Sequence, residues 1–95
     1  MSPGKRFGVF VWDTDKEDLN IQLHGLDFTE ASQAFDDPHR LIVADDLHSE
    51  FEVRLFCIGL VNGRIATVRF TYREQEIRIF GAGYWRIGRK LYEKK

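Results

Sequence analysis

Hydrophobic residues are grouped in short runs over the first half of the chain and in longer, alternating runs over the second half. Residues 7–12 form an apolar run rich in β-forming side chains, which predicts a first strand. Thr14-Asp15-Lys16-Glu17 matches a capping box, so a helix is predicted to begin there and to end at Gly25. One side of this helix would carry Lys16, Leu19, Asn20, Leu23 and His24.

A second short helix is predicted over residues 29–35. Its spacing turns Phe28, Ala31 and Phe35 inward, and Asp37-Pro38 would end it because the residue before a proline avoids helical geometry. The two helices would therefore occupy the first half of the domain.

The second half of the chain has the pattern of a strand meander. A short strand is predicted over Leu41–Ala44, and longer strands over residues 52–60, 64–73 and 76–80. Asn62-Gly63 is a strong hairpin signal, and Glu74-Gln75 gives a second tight turn. These turns predict three consecutive antiparallel strands.

The last segment follows Gly81-Ala82-Gly83, which is predicted to end the final strand. Residues 84–95 then predict a short basic helix. The pattern as a whole indicates an α+β fold, with two N-terminal helices packed on one face of a twisted, mainly antiparallel sheet. The length of 95 residues predicts a single domain over residues 1–95.

Charge is divided unevenly between the two halves of the chain. Residues 1–50 carry a net charge of −7 and residues 51–95 a net charge of +6. This asymmetry points to a polyanionic or acidic partner for a basic face.

We expect a cytoplasmic protein without a membrane span, because the chain has neither a signal-peptide core nor an apolar run of about 20 residues. Cys57 lies in an apolar run and is expected to be buried, and scattered histidines predict neither metal nor cofactor.

Alternation along the predicted strands separates a core face from an exposed face. Val68, Phe70 and Tyr72 are expected to meet the core, which leaves Arg69 and Arg73 on the exposed face. Arg78 alternates with Ile77 and Ile79 and would point outward by the same logic, and Arg54 shares a face with Glu52 at the start of the strand over residues 52–60. Neighbouring strands lie about 4.8 Å apart, so these four arginine side chains could converge on one phosphate group. The alternative is ordinary ion pairing with Glu52, Glu74 and Glu76 on a solvated surface.

Two roles are possible for His24, and two for the aromatic residues near the C-terminus. His24 either follows the common preference for a cation at a helix end or acts as a general acid or base. Tyr84 and Trp85, interleaved with Arg86 and Arg89, either stack on nucleic-acid bases or pack the last segment onto the sheet. His48 lies in a polar loop that either reaches the basic face or is solvated.

The order and spacing of these residues resemble the BrnT toxin family. In the first half, the resemblance rests on Phe10-Val11-Trp12-Asp13, Lys16, Asn20, His24-Gly25, Phe28, Ala31, Phe35 and Asp37-Pro38. In the second half, it rests on His48, Glu52, Arg54, Gly59, Thr71, Arg73 and Ile77-Arg78-Ile79. It covers about residues 7–93.

The resemblance implies a RelE-like ribonuclease toxin of a type II toxin–antitoxin system, which cleaves RNA without metal or cofactor and stops translation. Its partners would be RNA and a cognate, DNA-binding, BrnA-like antitoxin. Arg54, Arg73 and Arg78 would hold and stabilise the scissile phosphate, and Glu52 and His24 would transfer protons. Arg69 would bind substrate in a secondary role.

Two departures from the family pattern leave an alternative open. Leu23 replaces the usual lysine before the His-Gly pair, and Gly83 stands where an arginine is expected. The ending Gly-Ala-Gly-Tyr-Trp resembles a variant branch of the family. Either Arg86 or Arg89 substitutes for the arginine, or the protein is a catalytically inactive binding module for an antitoxin or a nucleic acid. The separated charges also permit a homodimer.

Overall fold

A six-stranded mixed sheet organises the fold in the computed structural model, which describes residues 3–94. The strand order is β1-β2-β6-β5-β4-β3, and β2 and β6 run parallel while all other neighbours are antiparallel. The strands are β1 (Gly4–Phe7), β2 (Phe10–Asp13), β3 (Leu41–Ala44), β4 (Leu55–Val61), β5 (Arg64–Arg73) and β6 (Glu76–Gly83). The helices are α1 (Thr14–His24), α2 (Phe28–Ala31) and α3 (Arg86–Lys94), with 3-10 turns at Ser32–Asp36 and Asp46–His48. The α+β class is therefore confirmed.

The N-terminus forms a hairpin that the sequence pattern did not reveal. The predicted first strand over residues 7–12 is divided by a turn at Gly8, whose φ of 63° is left-handed. Phe7 pairs with Phe10 across this turn, so β1 becomes the edge strand beside β2. The prediction was wrong because one apolar run spans both strands and the turn between them.

Helix α1 begins one residue earlier than the predicted capping box requires. Asp13 is the N-cap, and its carboxylate accepts hydrogen bonds from the backbone N–H groups of Asp15 and Lys16. The capping role of Glu17 was therefore wrong: Glu17 is buried and accepts a 3.0 Å hydrogen bond from the backbone N–H of Phe28. The predicted stop is confirmed, since Gly25 adopts the left-handed C-cap conformation with φ 67°.

The second predicted helix is divided into α2 and a 3-10 turn. Asp27 and Glu30 form the capping box here, with hydrogen bonds of 2.6 and 3.3 Å between side chains and backbone. Phe28, Ala31 and Phe35 point inward as predicted. The buried core they join contains Trp12, Leu26, Phe28, Ala31, Ala34, Cys57, Val61, Ala66, Val68, Phe70, Ile79 and Ala82.

Strands β4, β5 and β6 form the predicted meander with altered ends. The Asn62-Gly63 turn is confirmed, with φ angles of 52° and 78°. Glu52 and Arg54 precede β4 instead of belonging to it, and Gly81-Ala82-Gly83 continues β6 instead of ending it. A bulge in the β5–β6 pairing at Arg69/Phe70 places an extra residue in β6.

Tyr72 departs from the predicted core face. It is 58% exposed, whereas Thr71 is buried and donates a 2.5 Å hydrogen bond to the carbonyl of Val53. The loop before β4 thus covers the face that alternation assigned to solvent. Cys57 is buried as predicted, and burial raises the pKa of its thiol to about 12.

Helix α3 packs on the sheet face opposite the 3-10 turn that follows α2, because Gly59 approaches Ala34 whereas the neighbouring Ile58 approaches Gly88. A Cβ at Gly88 would lie 3.7 Å from the Ile58 side chain and would overlap the Thr67 hydroxyl, which shows how closely α3 approaches β4 and β5. The hydroxyl of Tyr92 donates a 2.7 Å hydrogen bond to Asp37, which ties the end of α3 to the core. Within residues 3–94, none of the helices has the length and apolarity that crossing a membrane requires.

Gly88→Ala is expected to destabilise the protein, although alanine favours helices. An added methyl overlaps the Thr67 hydroxyl, and relieving such overpacking costs about 1–3 kcal/mol. Urea unfolding measures the loss. The same substitution in a Thr67→Ala background should be better tolerated, and an equal loss in both backgrounds would contradict this packing.

Candidate functional site

A cleft of about 290 Å³ lies between α1, the loop before β4, and strands β5 and β6. Its wall combines histidines, cations and apolar side chains. The lining residues are Lys16, Leu19, Asn20, Leu23, His24, Asp45, His48, Arg54, Arg69, Phe70 and Phe80. The five residues predicted to share one side of α1 all belong to this wall.

Asn20 fixes α1 against the sheet. Its side-chain amide donates hydrogen bonds of 2.9 Å to the carbonyls of Leu26 and Ala82, and its side-chain oxygen accepts a 3.0 Å bond from the Ala82 backbone N–H. β2 does not extend beside Ala82, so the Asn20 amide takes the place of a neighbouring strand there. The position of His24 at the end of α1 follows from this anchor.

Asp45 and His48 form a dyad in the loop before β4. The Nδ1 atom of His48 lies 2.9 and 3.1 Å from the two carboxylate oxygens of Asp45. Asp45 is buried and 5% exposed, while the imidazole faces the cleft. The loop is closed by a 2.8 Å hydrogen bond from the Asp45 backbone N–H to the Arg54 carbonyl. The signal for this dyad is the Asp-x-x-His spacing, which a 3-10 turn brings onto one side.

Arg54 is held in the cleft from two sides. Its guanidinium carbon lies 3.8 Å from the centre of the Phe80 ring, and its Nε lies 3.3 Å from a carboxylate oxygen of Glu52. Glu52 also accepts two 3.1 Å hydrogen bonds from Arg73. The hydrogen bonds from Arg73 hold the pKa of Glu52 below its usual range, and the same bonds raise the pKa of Arg73. A carboxylate engaged in this way is a weak proton acceptor.

Arg69 and Trp85 occupy space that the glycines of β6 leave open. A Cβ at Gly81 would lie 2.7 Å from an Arg69 guanidinium nitrogen, and a Cβ at Gly83 would lie 2.6 Å from the Trp85 ring. The Trp85 ring in turn contacts His24 edge-on, at 5.1 Å between ring centroids. The unusual Gly-Ala-Gly-Tyr-Trp segment therefore provides room for Arg69 and for the tryptophan that supports His24.

The other predicted site residues lie outside the cleft. Arg78 lines a separate shallow groove with Arg6 and Glu76. Tyr84 packs against the core, with the Arg64 guanidinium carbon 3.9 Å from its ring centre. Arg86 and Arg89 are exposed on α3, and Arg73 reaches the cleft only through Glu52. Of the four arginines that were predicted to converge, only Arg54 and Arg69 line the cleft.

Glu52→Gln is expected to lower stability at neutral pH and to have little effect in acid. The lowered pKa of Glu52 means that its pairing with Arg73 stabilises the protein above the pKa of the unfolded state and is lost as pH falls through the folded one. The expected difference is about 0.5–1 kcal/mol, because Arg73 is half exposed. Urea unfolding of both proteins at several pH values measures it, and a difference that persists in strong acid would contradict the pairing.

Comparison with known proteins identifies the family of this chain. A family model described as the ribonuclease toxin BrnT of type II toxin–antitoxin systems matches residues 12–87. No curated protein matches the chain. The matched segment runs from Trp12 in β2 to Ile87 in α3 and so contains the whole cleft. The chain belongs to the BrnT family of ribonuclease toxins from type II toxin–antitoxin systems.

Proposed function

We propose that this protein is a toxin that cleaves RNA in the cleft between α1, β5 and β6, and that a cognate, DNA-binding antitoxin neutralises it. The observation that carries the proposal is the presence of two histidines and three cations in one cleft: His24, His48, Lys16, Arg54 and Arg69. Such a toxin stops translation, which takes place in the cytoplasm, so we place the protein there.

The reaction is transesterification by the substrate itself. The ribose 2′-hydroxyl attacks the neighbouring phosphorus, the bond from phosphorus to the 5′-oxygen breaks, and the products are a 2′,3′-cyclic phosphate and a 5′-hydroxyl. One protein group removes the proton from the 2′-hydroxyl, and another protonates the departing 5′-oxygen. Cations stabilise the extra negative charge on the phosphorane between these steps.

We assign proton transfer to the two histidines. With its Nδ1 hydrogen donated to Asp45, His48 keeps Nε2 to accept the 2′-hydroxyl proton, and the buried carboxylate stabilises the imidazolium that forms. His24, supported by the Trp85 ring, donates the proton to the 5′-oxygen. Glu52 was predicted from the sequence to transfer protons together with His24, and its pairing with two arginines favours a positioning role instead.

We assign charge stabilisation to Arg54 and Arg69, with Lys16 contributing at longer range. Arg73 acts through Glu52 by holding Arg54 in place. Trp85 contacts His24 and offers a stacking surface beside the cleft, and Arg86 and Arg89 follow it on α3, where they can meet phosphates of flanking nucleotides. Arg78 is assigned a minor role, since it lines a different groove.

An inactive binding module is the second candidate function, favoured by the glycine at position 83 where the family pattern has an arginine. The two functions differ on induced expression. A ribonuclease arrests growth and fragments cellular RNA, whereas a binding module leaves growth and RNA unchanged. Normal growth of cells that contain soluble wild-type protein would contradict the proposed function.

A further inference from the structure

A second, apolar groove of about 560 Å³ lies between α3 and strands β3 and β4. Most of its exposed surface is apolar. Besides residues shared with the cleft, the lining consists of Val43, Phe56, Ile58, Thr67, Trp85, Ile87, Gly88 and Leu91. On α3, Ile87 is 76% exposed and Leu91 is 41% exposed, which leaves a large apolar surface open to solvent.

The groove and the cleft are continuous. His24, His48 and Arg69 line both of them. A chain segment seated in the groove would therefore end beside the two histidines and the arginine to which we assign catalysis. Occupying one space would block access to the other.

The positive charge around the groove favours an acidic ligand. Helix α3 carries four cations and one acid: Arg86, Arg89, Lys90, Lys94 and Glu93. At the cleft end, Arg69 adds a further positive charge. An amphipathic segment with apolar residues on one side and carboxylates along its edges matches both the floor and the rim.

The chemistry favours a protein segment over RNA or a second copy of this chain. RNA carries a charged backbone that needs cations and polar groups along its length, whereas the exposed surface of this groove is mostly apolar and buries apolar side chains well. Helix α1 is acidic and exposes Leu19 and Leu23, but these leucines form the wall of its own cleft. A second copy would therefore have to use the leucines of its own cleft wall in order to insert α1 into the groove.

We propose that the groove along α3 is the docking site for an acidic, amphipathic segment of the cognate antitoxin, which inhibits the toxin by covering His24, His48 and Arg69. The inference rests on the proposed function and specifies how that function is regulated. The nine residues of α3 extend over about 13 Å, which accommodates two to three turns of a bound helix.

Leu91→Glu tests the docking site with the purified cognate antitoxin as the probe. A carboxylate in the apolar groove repels acidic residues of the antitoxin and removes an apolar contact, so the dissociation constant should rise at least 100-fold. RNA cleavage should remain at the wild-type rate, because Leu91 does not line the cleft. Ile87→Glu is the second variant and should act in the same direction, at a side chain too exposed to affect folding.

Ile21→Glu is the matched control. Ile21 is a helical residue that is 43% exposed, close to the 41% of Leu91, and it lines neither the cleft nor the groove. Its substitution should leave antitoxin affinity unchanged. Equal affinity of Leu91→Glu, Ile87→Glu and wild type would overturn the docking site, as would a wild type that does not bind the antitoxin.

Two further outcomes separate this inference from the proposed function. A wild type that binds antitoxin through the groove but cleaves no RNA would refute the ribonuclease and retain the docking site. An RNA-cleaving wild type whose antitoxin affinity is insensitive to both variants would do the reverse. A dimer of the toxin alone that Leu91→Glu dissociates would assign the groove to a second copy and overturn the proposal.

Discussion

His48→Ala is expected to lower the rate of RNA cleavage by about 10²–10⁴-fold, the range for loss of a general acid or base. His48 lines the cleft, and the buried carboxylate of Asp45 holds its Nδ1 at 2.9 Å. The imidazole is more than half exposed, so its removal should not unfold the protein. Cleavage kinetics of the purified proteins measure the effect, and the same change should abolish growth arrest on induced expression.

His39→Ala provides the matched control for His48→Ala. His39 follows Pro38 in the turn before β3 and does not line the cleft, so its loss should leave cleavage unchanged. Asp45→Asn should show an intermediate loss, because the amide still contacts the ring but no longer stabilises its charged form. Wild-type cleavage by His48→Ala would refute the assignment of this residue as the base.

Arg69→Ala is expected to reduce cleavage by about 10²–10³-fold, as removal of one group that stabilises transition-state charge does. Arg69 lies against Gly81 at the cleft wall, where no other arginine of β5 reaches. Arg69→Lys should recover part of the activity, since the charge returns without the planar fork. Single-turnover rates at saturating protein separate this loss from weaker RNA binding.

Arg78→Ala is the matched control for Arg69→Ala. Arg78 lies on the neighbouring strand but lines a separate groove with Arg6 and Glu76. We expect its loss to change cleavage by less than about tenfold. A large loss from Arg78→Ala together with normal cleavage by Arg69→Ala would contradict the placement of the site.

Local signals in the sequence were sufficient for most of the fold. The boundaries of β3 and β5 and the turn at Asn62-Gly63 follow from alternation and turn chemistry, and the structure confirms them. Apart from the N-terminal hairpin, the errors arose where a long-range contact overrides a local pattern. Glu17 fits a capping box but bonds to Phe28 instead, and the Gly81–Gly83 tract continues a strand because β5 pairs with it.

The candidate site was predicted only in part, for a related reason. Periodicity placed five residues on one side of α1, and all of them line the cleft. It could not reveal the Asp45–His48 dyad, because the loop that carries both residues takes its shape from contacts to Arg54 and Thr71. Nor could it show that a bulge and two glycines bring Arg69 to the cleft while Arg78 is left outside.

The chemistry of the RNA ends tests the central claim most directly. Wild-type toxin is induced, total RNA is recovered at growth arrest, and the new 3′ ends are examined beside those from cells expressing His48→Ala. Attack by the 2′-hydroxyl predicts 2′,3′-cyclic phosphates at new ends that are absent from the variant. Intact RNA in arrested cells, or new ends that carry a 3′-hydroxyl, would contradict cleavage by the histidines of this cleft.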